Sequence, residues 1–271
     1  MQKYVVLEKA VGQTPLECAE DWRASHPEYT GIPLAYAGRL DPLASGKLLV
    51  LIGDECKQQA EYHYLDKRYE IEVVFGLGSD TGDVMGLLSP ANAPLNVTDA
   101  TLRATLTTLT GTIELPYPVF SAKTVRGKPL HTWAMEGRLN EITIPTKSST
   151  IYTLKLTSLT FLTTQELHDQ ALAKINSIPP VTESRKALGN DFRRNDIRQS
   201  WHKWLQTHSD HSFPVATITC TASSGTYMRT LANTIASWHD TKGLALSIHR
   251  THIGHYQPLP FIDGFWRTKF T

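Results

Sequence analysis

A chain of 271 residues with 41% apolar side chains can bury a substantial core, enough for one large α/β domain or two smaller ones. Lys plus Arg total 27 against 26 for Asp plus Glu, so overall charge announces no nucleic-acid partner and local charge has to carry that case. No apolar run approaches the roughly 20 residues that cross a bilayer, and the first residues lack the apolar centre of a signal peptide, which predicts a cytoplasmic location. Cys18, Cys56 and Cys220 are too scattered for a disulfide framework or a cysteine zinc site, and no metal is expected.

In chain order, residues 4–7 form a short β-rich run. Residues 9–15 read as a loop closing on Thr14 as N-cap, with Pro15 in the first turn of a helix over 16–25. The stretch Gly38-Arg39-Leu40-Asp41-Pro42-Leu43-Ala44-Ser45-Gly46 then sets a carboxylate beside a cation, just before the apolar run 48–52. Taken alone, Asp41-Pro42 reads as a helix N-cap with proline at the first helical position. Residues 57–65 read as a helix, and 67–75 alternate polar and apolar as a half-buried strand does. The segment 76–83 is turn chemistry. A phosphate cradle there would need a helix after the glycines and a calcium loop would need more acids, so a structural loop is expected.

Residues 96–109 show helical spacing with Thr98 or Asp99 as cap. The stretch 116–133 interleaves Lys123, Arg126, Lys128 and His131 with Phe120 and Trp133, and no acid occurs until Glu136. Such an excursion suits a loop that grips a phosphate backbone; a solvated hairpin is the alternative. Residues 151–162 are strand-like. From 163 to 212 the composition turns polar, with Lys174, Arg185, Lys186, Arg193, Arg194, Arg198 and Lys203 set against Glu183, Asp191 and Asp196. Ile197, Trp201 and Trp204 fall at helical spacing, which predicts a mostly helical insertion with one packed and one basic face. Whether that face meets RNA or only water stays open. Residues 213–221 form a strand delivering 223–230, ahead of a helix over 231–238. Arg229 in the first turn of that helix opposes the macrodipole, so it calls for an anionic partner. His249, His252 and His255 recur in a strand-like run, which puts neighbouring members on opposite faces and argues against a metal site. The tail 261–271 is too short to be a domain.

Several of these pieces, in this order, resemble the TruB-type tRNA pseudouridine synthases. They are Lys9-Ala10-Val11-Gly12-Gln13-Thr14-Pro15, the 38–46 stretch, Asp66-Lys67-Arg68-Tyr69, residues 76–86, Pro118-Val119-Phe120-Ser121-Ala122-Lys123, Gly225-Thr226-Tyr227-Met228-Arg229-Thr230 and Arg250-Thr251. The resemblance covers most of 1–157 and 213–256. It implies an α+β pseudouridine synthase fold, a mixed and mainly antiparallel sheet flanked by helices with RNA across a central cleft. The catalytic domain would comprise 1–162 and 213–257, with a helical insertion at 163–212, a short tail at 258–271 and no PUA domain.

The resemblance also implies isomerisation of a uridine in the T-arm of tRNA, usually position 55, by a monomer without any cofactor. Asp41 would be the catalytic aspartate, Tyr69 the ring against the flipped base, and Arg229 the partner of the Asp41 carboxylate. Tyr227 and Ile248 would line the pocket, Ile248 standing where leucine is usual. Lys9, Arg39 and Lys67 would bind substrate near the cleft, and Lys123, Arg126 and Lys128 would close on the RNA. Tyr36-Ala37-Gly38 stands in place of the usual His-Thr-Gly, and Ala10 in place of a common proline. The chemistry agrees on its own terms: moving a glycosidic bond from N1 to C5 needs an anionic carboxylate as nucleophile or base, with a countercharge nearby. A base inside folded RNA must first be flipped out, and an aromatic ring replaces the stacking it loses. A non-catalytic tRNA-folding chaperone on the same scaffold, or a synthase acting on another RNA, are the competing readings.

Overall fold

The computed structural model describes residues 2–91, 96–181, 191–259 and 262–271; Glu183, Arg185 and Lys186 of the insertion lie outside them. The chain opens with β1 (Tyr4–Lys9), α1 (Pro15–Ala24), β2 (Leu34–Ala37) and β3 (Ser45–Ile52). Then come α2 (Gln59–Tyr62), β4 (Asp66–Phe75), β5 (Leu77–Ser79), β6 (Leu88–Pro90), α3 (Asp99–Thr108) and β7 (Gly111–Pro116). A hairpin of β8 (Thr124–Val125) and β9 (Lys128–Pro129) leads into α4 (Leu130–Met135). The second half holds β10 (Thr146–Thr163), α5 (Thr164–Ser177), α6 (Arg194–Thr207), β11 (Ser212–Ala222), α7 (Met228–Ser237), β12 (Gly243–Leu259) and β13 (Ile262–Phe270).

One nine-stranded sheet organises all of this, in the order β1-β3-β12-β4-β11-β10-β7, with β2 added beside β3 and β13 beside β12. Every pairing is antiparallel except β3 with β12, where His249 and Arg250 run parallel to Ser45 and Gly46. The C-terminal tail is therefore a strand of the sheet, registered from Ile253–Phe270 to Leu259–Ile262. Helices α3 and α7 cover one face through Leu102, Leu106, Leu231 and Ile235, packed on Ile71, Val73, Phe75 and Ile218. Alternation along β4 sends Val74 to the other face, where it meets Val215, Leu244, Leu246 and the insertion's Leu167, Ile175, Ile197 and Trp201.

Local signals explain the boundaries. Thr14 caps α1 in a capping box with Glu17 and with Pro15 at the first turn, and Thr98 caps α3. The insertion is an α5–α6 hairpin buried through Ile197, Trp201 and Trp204. Several of its cations are engaged within the fold: Lys174 donates to the Leu246 carbonyl, Arg193 pairs with Asp80, Arg194 with Asp191, and Arg198 donates to Asn176. Of the other cations of the expected basic face, Lys203 is exposed, and Arg185 and Lys186 lie outside the described residues. Asp41-Pro42 also departs from expectation: it forms a turn closed by Ala44 N–H donating to the Asp41 carbonyl at 2.9 Å, and β3 starts at Ser45 before any helix could form. No helix among the described residues is long and apolar enough to cross a membrane.

Candidate active site

A cleft of about 590 Å³ opens where β4, β12 and the loop before α7 face the 38–44 loop. Asp41 and Arg229, 188 positions apart in sequence, meet there: Arg229 Nε lies 2.9 Å from Asp41 Oδ2. The Asp41 side chain is about half exposed at 47%, while that of Arg229 is buried at 8%. Arg229 Nη1 donates to the Thr81 carbonyl at 2.9 Å and Nη2 to the Phe120 carbonyl at 3.3 Å, which fixes the plane of the guanidinium. Its Nε–H finds no acceptor in line, so the contact to Asp41 is an ion pair rather than an aligned hydrogen bond.

A second carboxylate completes the group. Asp83 Oδ2 lies 3.6 Å from Arg229 Nε, and its other oxygen accepts from Thr81 Oγ1 at 2.6 Å and from Met85 N–H at 2.9 Å. Burial pushes the Asp83 carboxyl up, and Arg229 and Thr81 pull against that shift. Burial works against the charge of Arg229 too, yet the carboxylates of Asp41 and Asp83 outweigh it and the guanidinium pKa is raised. The loop expected to be purely structural therefore supplies a buried acid to the site. The sequence signal was one of two aspartates, Asp80 and Asp83, in a Gly-rich turn, and only the fold brings Arg229 to Asp83.

Tyr69 lines the same cleft, with its phenol pushed up by burial and Arg250 opposing the shift. Ile248 and Tyr227 line it as well; Tyr227 packs edge-on against Tyr117 with centroids 5.6 Å apart. Arg39 and Lys67 also reach the cleft. Lys67 is nearly buried and donates to the carbonyls of Leu65 and His63 and to Ser224 Oγ; burial, with Arg250 adding to it, lowers its pKa to about 7. Lys147 grips the same loop from the other side, donating to the Ser224 carbonyl at 2.6 Å.

Two expectations are redirected. Lys9 has no exposed surface and donates to the carbonyls of Ala10 and Gln13, with burial lowering its pKa to about 8. It shapes the loop whose Gly12 N–H donates to the Pro42 carbonyl at 2.9 Å, and its charge lies near enough to Asp41 for the two to interact. Lys123, Arg126 and Lys128 sit on the β8–β9 hairpin, away from the cleft floor. Lys128 is paired with Glu136 at 2.7 Å, and Arg138 bridges Glu136 and Glu141, whereas Lys123 and Arg126 carry no ion pair among the described residues.

Arg250 is the residue whose role the sequence left unassigned. It is 1% exposed, donates to the carbonyls of Lys47, Gly38 and Arg39, and so ties β12 to the loop carrying Asp41. Gly46 permits this approach: its φ is +100°, and a Cβ there would lie 2.3 Å from the Arg250 carbonyl oxygen. The histidine run does not alternate throughout: a register shift between Arg250 and His252 sets His249 opposite Glu70 and His252 opposite Arg68, on one face of the sheet, with His249 hydrogen-bonded to Ser45 and His252 stacked on Trp266.

Residues 33–182 match the model of the TruB family pseudouridylate synthase N-terminal domain. The chain belongs to the TruB family. Among TruB relatives, a tRNA pseudouridine synthase B of Aromatoleum aromaticum is 39% identical over 45% of this chain and 38% of its own length. Another, from Caldicellulosiruptor saccharolyticus, is 28% identical over 71% of this chain and 69% of its own. The chain thus spans well under half of the first relative. Among solved structures, the fold is similar to a chain of a Cbf5-Nop10-Gar1 complex, with a TM-score of 0.51 and 13% identity over 93% of this chain and 49% of that one.

Proposed function

We propose that this TruB-family chain is a tRNA pseudouridine synthase that flips a T-arm uridine, of the position-55 type, into the cleft and isomerises it without a cofactor. The observation that carries the reading is the half-exposed Asp41 carboxylate held 2.9 Å from buried Arg229, with Tyr69 lining the same cavity. Asp41 acts as nucleophile or base on the flipped nucleoside. The N1–C1′ bond breaks, a C1′–C5 bond forms, and the proton leaving C5 is balanced by one gained at N1. No atom or electron is gained, so no co-reactant is required. Arg229 keeps the carboxylate aimed while itself anchored to the carbonyls of Thr81 and Phe120. Tyr69 offers its ring to the extruded base. Lys123 and Arg126 on the hairpin offer cations to the RNA backbone.

The test is incubation with unmodified transcribed tRNA and mapping of pseudouridine, beside Asp41→Asn. Product at the T-loop position with the unsubstituted protein alone, and RNA affinity kept within a few-fold in Asp41→Asn, is the expected result, because a single carboxylate contributes little attraction for a polyanion. Tight binding without product in either protein would replace this reading with the chaperone.

A further inference from the structure

Most polar side chains of the cleft are committed to the fold. Gln59 donates to the Tyr36 carbonyl at 2.8 Å, Lys67 to Ser224 Oγ and two carbonyls, Thr226 to the Ser223 carbonyl at 2.9 Å, and Arg250 to three carbonyls. Asp41 and Arg229 face each other. Among the described residues, the polar side chains that line the cleft without a hydrogen bond or ion pair are Tyr36, Arg39, His63 and Tyr227. Exposure sorts them: Tyr36 and Tyr227 are half-buried, whereas Arg39 and His63 are exposed at the rim. A flipped nucleoside buries its base and leaves its sugar and phosphates at the mouth, so rim groups meet the RNA backbone. Arg39 belongs to the 38–46 stretch, but His63 belongs to none of the stretches that carry the family resemblance.

His63 has a fixed backbone and a free ring. It caps the end of α2, its N–H donates to the Ala60 carbonyl at 3.3 Å, and its own carbonyl accepts from Lys67 Nζ at 3.4 Å and from Ser224 Oγ. Helix α2, strand β4 and the loop before α7 thus converge on one residue. Such anchoring lowers the entropy cost of a contact that the side chain makes later. The surrounding charge favours an anion. Beyond the cost of burial, Arg250 and Lys147 press on the charge of Lys67, which marks a concentration of cations at this end of the cleft. Asp66 is occupied by the Tyr152 hydroxyl at 3.1 Å and the Tyr256 N–H at 2.9 Å, and Asp41 by Arg229. Glu61, exposed on α2, is the one acid of that helix and carries no ion pair among the described residues. An imidazole N–H at this rim is therefore a donor suited to a phosphate oxygen.

We infer that His63 holds a backbone phosphate of the RNA at the mouth of the cleft, beside the nucleotide whose base is flipped inward. The inference rests on the proposed synthase reading and adds a binding residue to that site. His63 contributes to affinity and leaves the chemistry to Asp41 and Arg229.

The experiment uses a T-arm RNA series in which each phosphate near the target uridine is in turn replaced by an uncharged methylphosphonate. Affinity is read in the Asp41→Asn background and the single-turnover rate at saturating RNA with Asp41 intact, each with and without His63→Ala. His63→Ala weakens binding of intact RNA about three- to tenfold and leaves the saturated rate within about twofold. His63→Gln, which keeps an N–H of similar reach, recovers most of that affinity. At one phosphate the methylphosphonate causes the same loss, and His63→Ala adds nothing to it. Affinity unmoved by His63→Ala, losses that multiply at every phosphate, or a loss confined to the saturated rate overturns the phosphate assignment, and the synthase reading stands as long as the RNA is converted. Intact T-arm RNA that is neither bound nor converted overturns both.

Discussion

The cleft holds two buried arginines that differ in almost everything but residue type. Arg229 is surrounded by carboxylates, Asp41 at 2.9 Å and Asp83 at 3.6 Å, and its pKa is raised despite burial. Arg250 donates to the carbonyls of Lys47, Gly38 and Arg39, and burial lowers its pKa while Tyr69 opposes that shift. The first is a charge balanced by carboxylates, one of them half exposed in the cleft; the second is a five-donor fork that joins strand to loop. Buried charge in an active site is thus of two kinds, and the partners tell them apart.

Replacing each arginine separates the two kinds. Arg229→Met should lower single-turnover rate by about a hundredfold or more and stability by about 3 kcal/mol, because it leaves Asp83 buried and unpaired. Adding Asp83→Asn should restore most of that stability in urea melts without restoring turnover; a double variant no more stable than Arg229→Met would break the distinction. Arg250→Met should cost about 2–4 kcal/mol through several orphaned buried carbonyls, and Asp83→Asn should not relieve it.

Lys67 refines the comparison: it is buried and hydrogen-bonded to carbonyls and a hydroxyl rather than to a carboxylate, with Asp66 only partly offsetting the cost of burial. Its pKa falls from 10.5 to about 7 on folding. Between those values the unfolded chain binds a proton that the folded chain does not, so stability rises with pH across about 7 to 10.5 and falls as pH drops toward 7. Thermal melts of Lys67→Met should lose that slope. The smallest effect belongs to His252, whose pKa is lowered from 6.5 to about 4 by burial, with Lys269, Arg68 and Lys47 adding to it. Its contribution is present above 6.5 and is lost as pH falls toward 4. His252→Phe should flatten the acid limb of the melting curve while keeping the stack on Trp266.

Arg229 stands out locally as a cation in the first turn of a helix, whereas Asp41 and Tyr69 stand out only through the resemblance of their motifs to the family; the fold brings all three to one cleft. Helix starts were legible at Thr14 and Thr98 because capping is local chemistry. Asp83, Arg250 and the strand in the tail were not, since their partners lie on elements remote in sequence and no local pattern encodes them. The burial of Lys9 was hidden for the same reason: it depends on the loop the residue folds beneath. Asp41-Pro42 has the local marks of a helix start, but the pairing of Lys9 with Gly46 commits the chain to β3 within a few residues.

The placement of β12 between β3 and β4 has a temporal side. Those two neighbours are separated by 13 residues in the chain, yet the strand that joins them is made some 170 residues after β4 ends, counting from Phe75 to Gly243. A ribosome releasing the chain from its N-terminus exposes a sheet with its central slot empty, and Arg250 cannot tie down the Asp41 loop until that slot is filled. Assembly must await non-local pairing, the slow step in sheet formation. The cleft is therefore not formed until synthesis has passed β12, and shorter chains lack the Arg250 tie that holds the Asp41 loop.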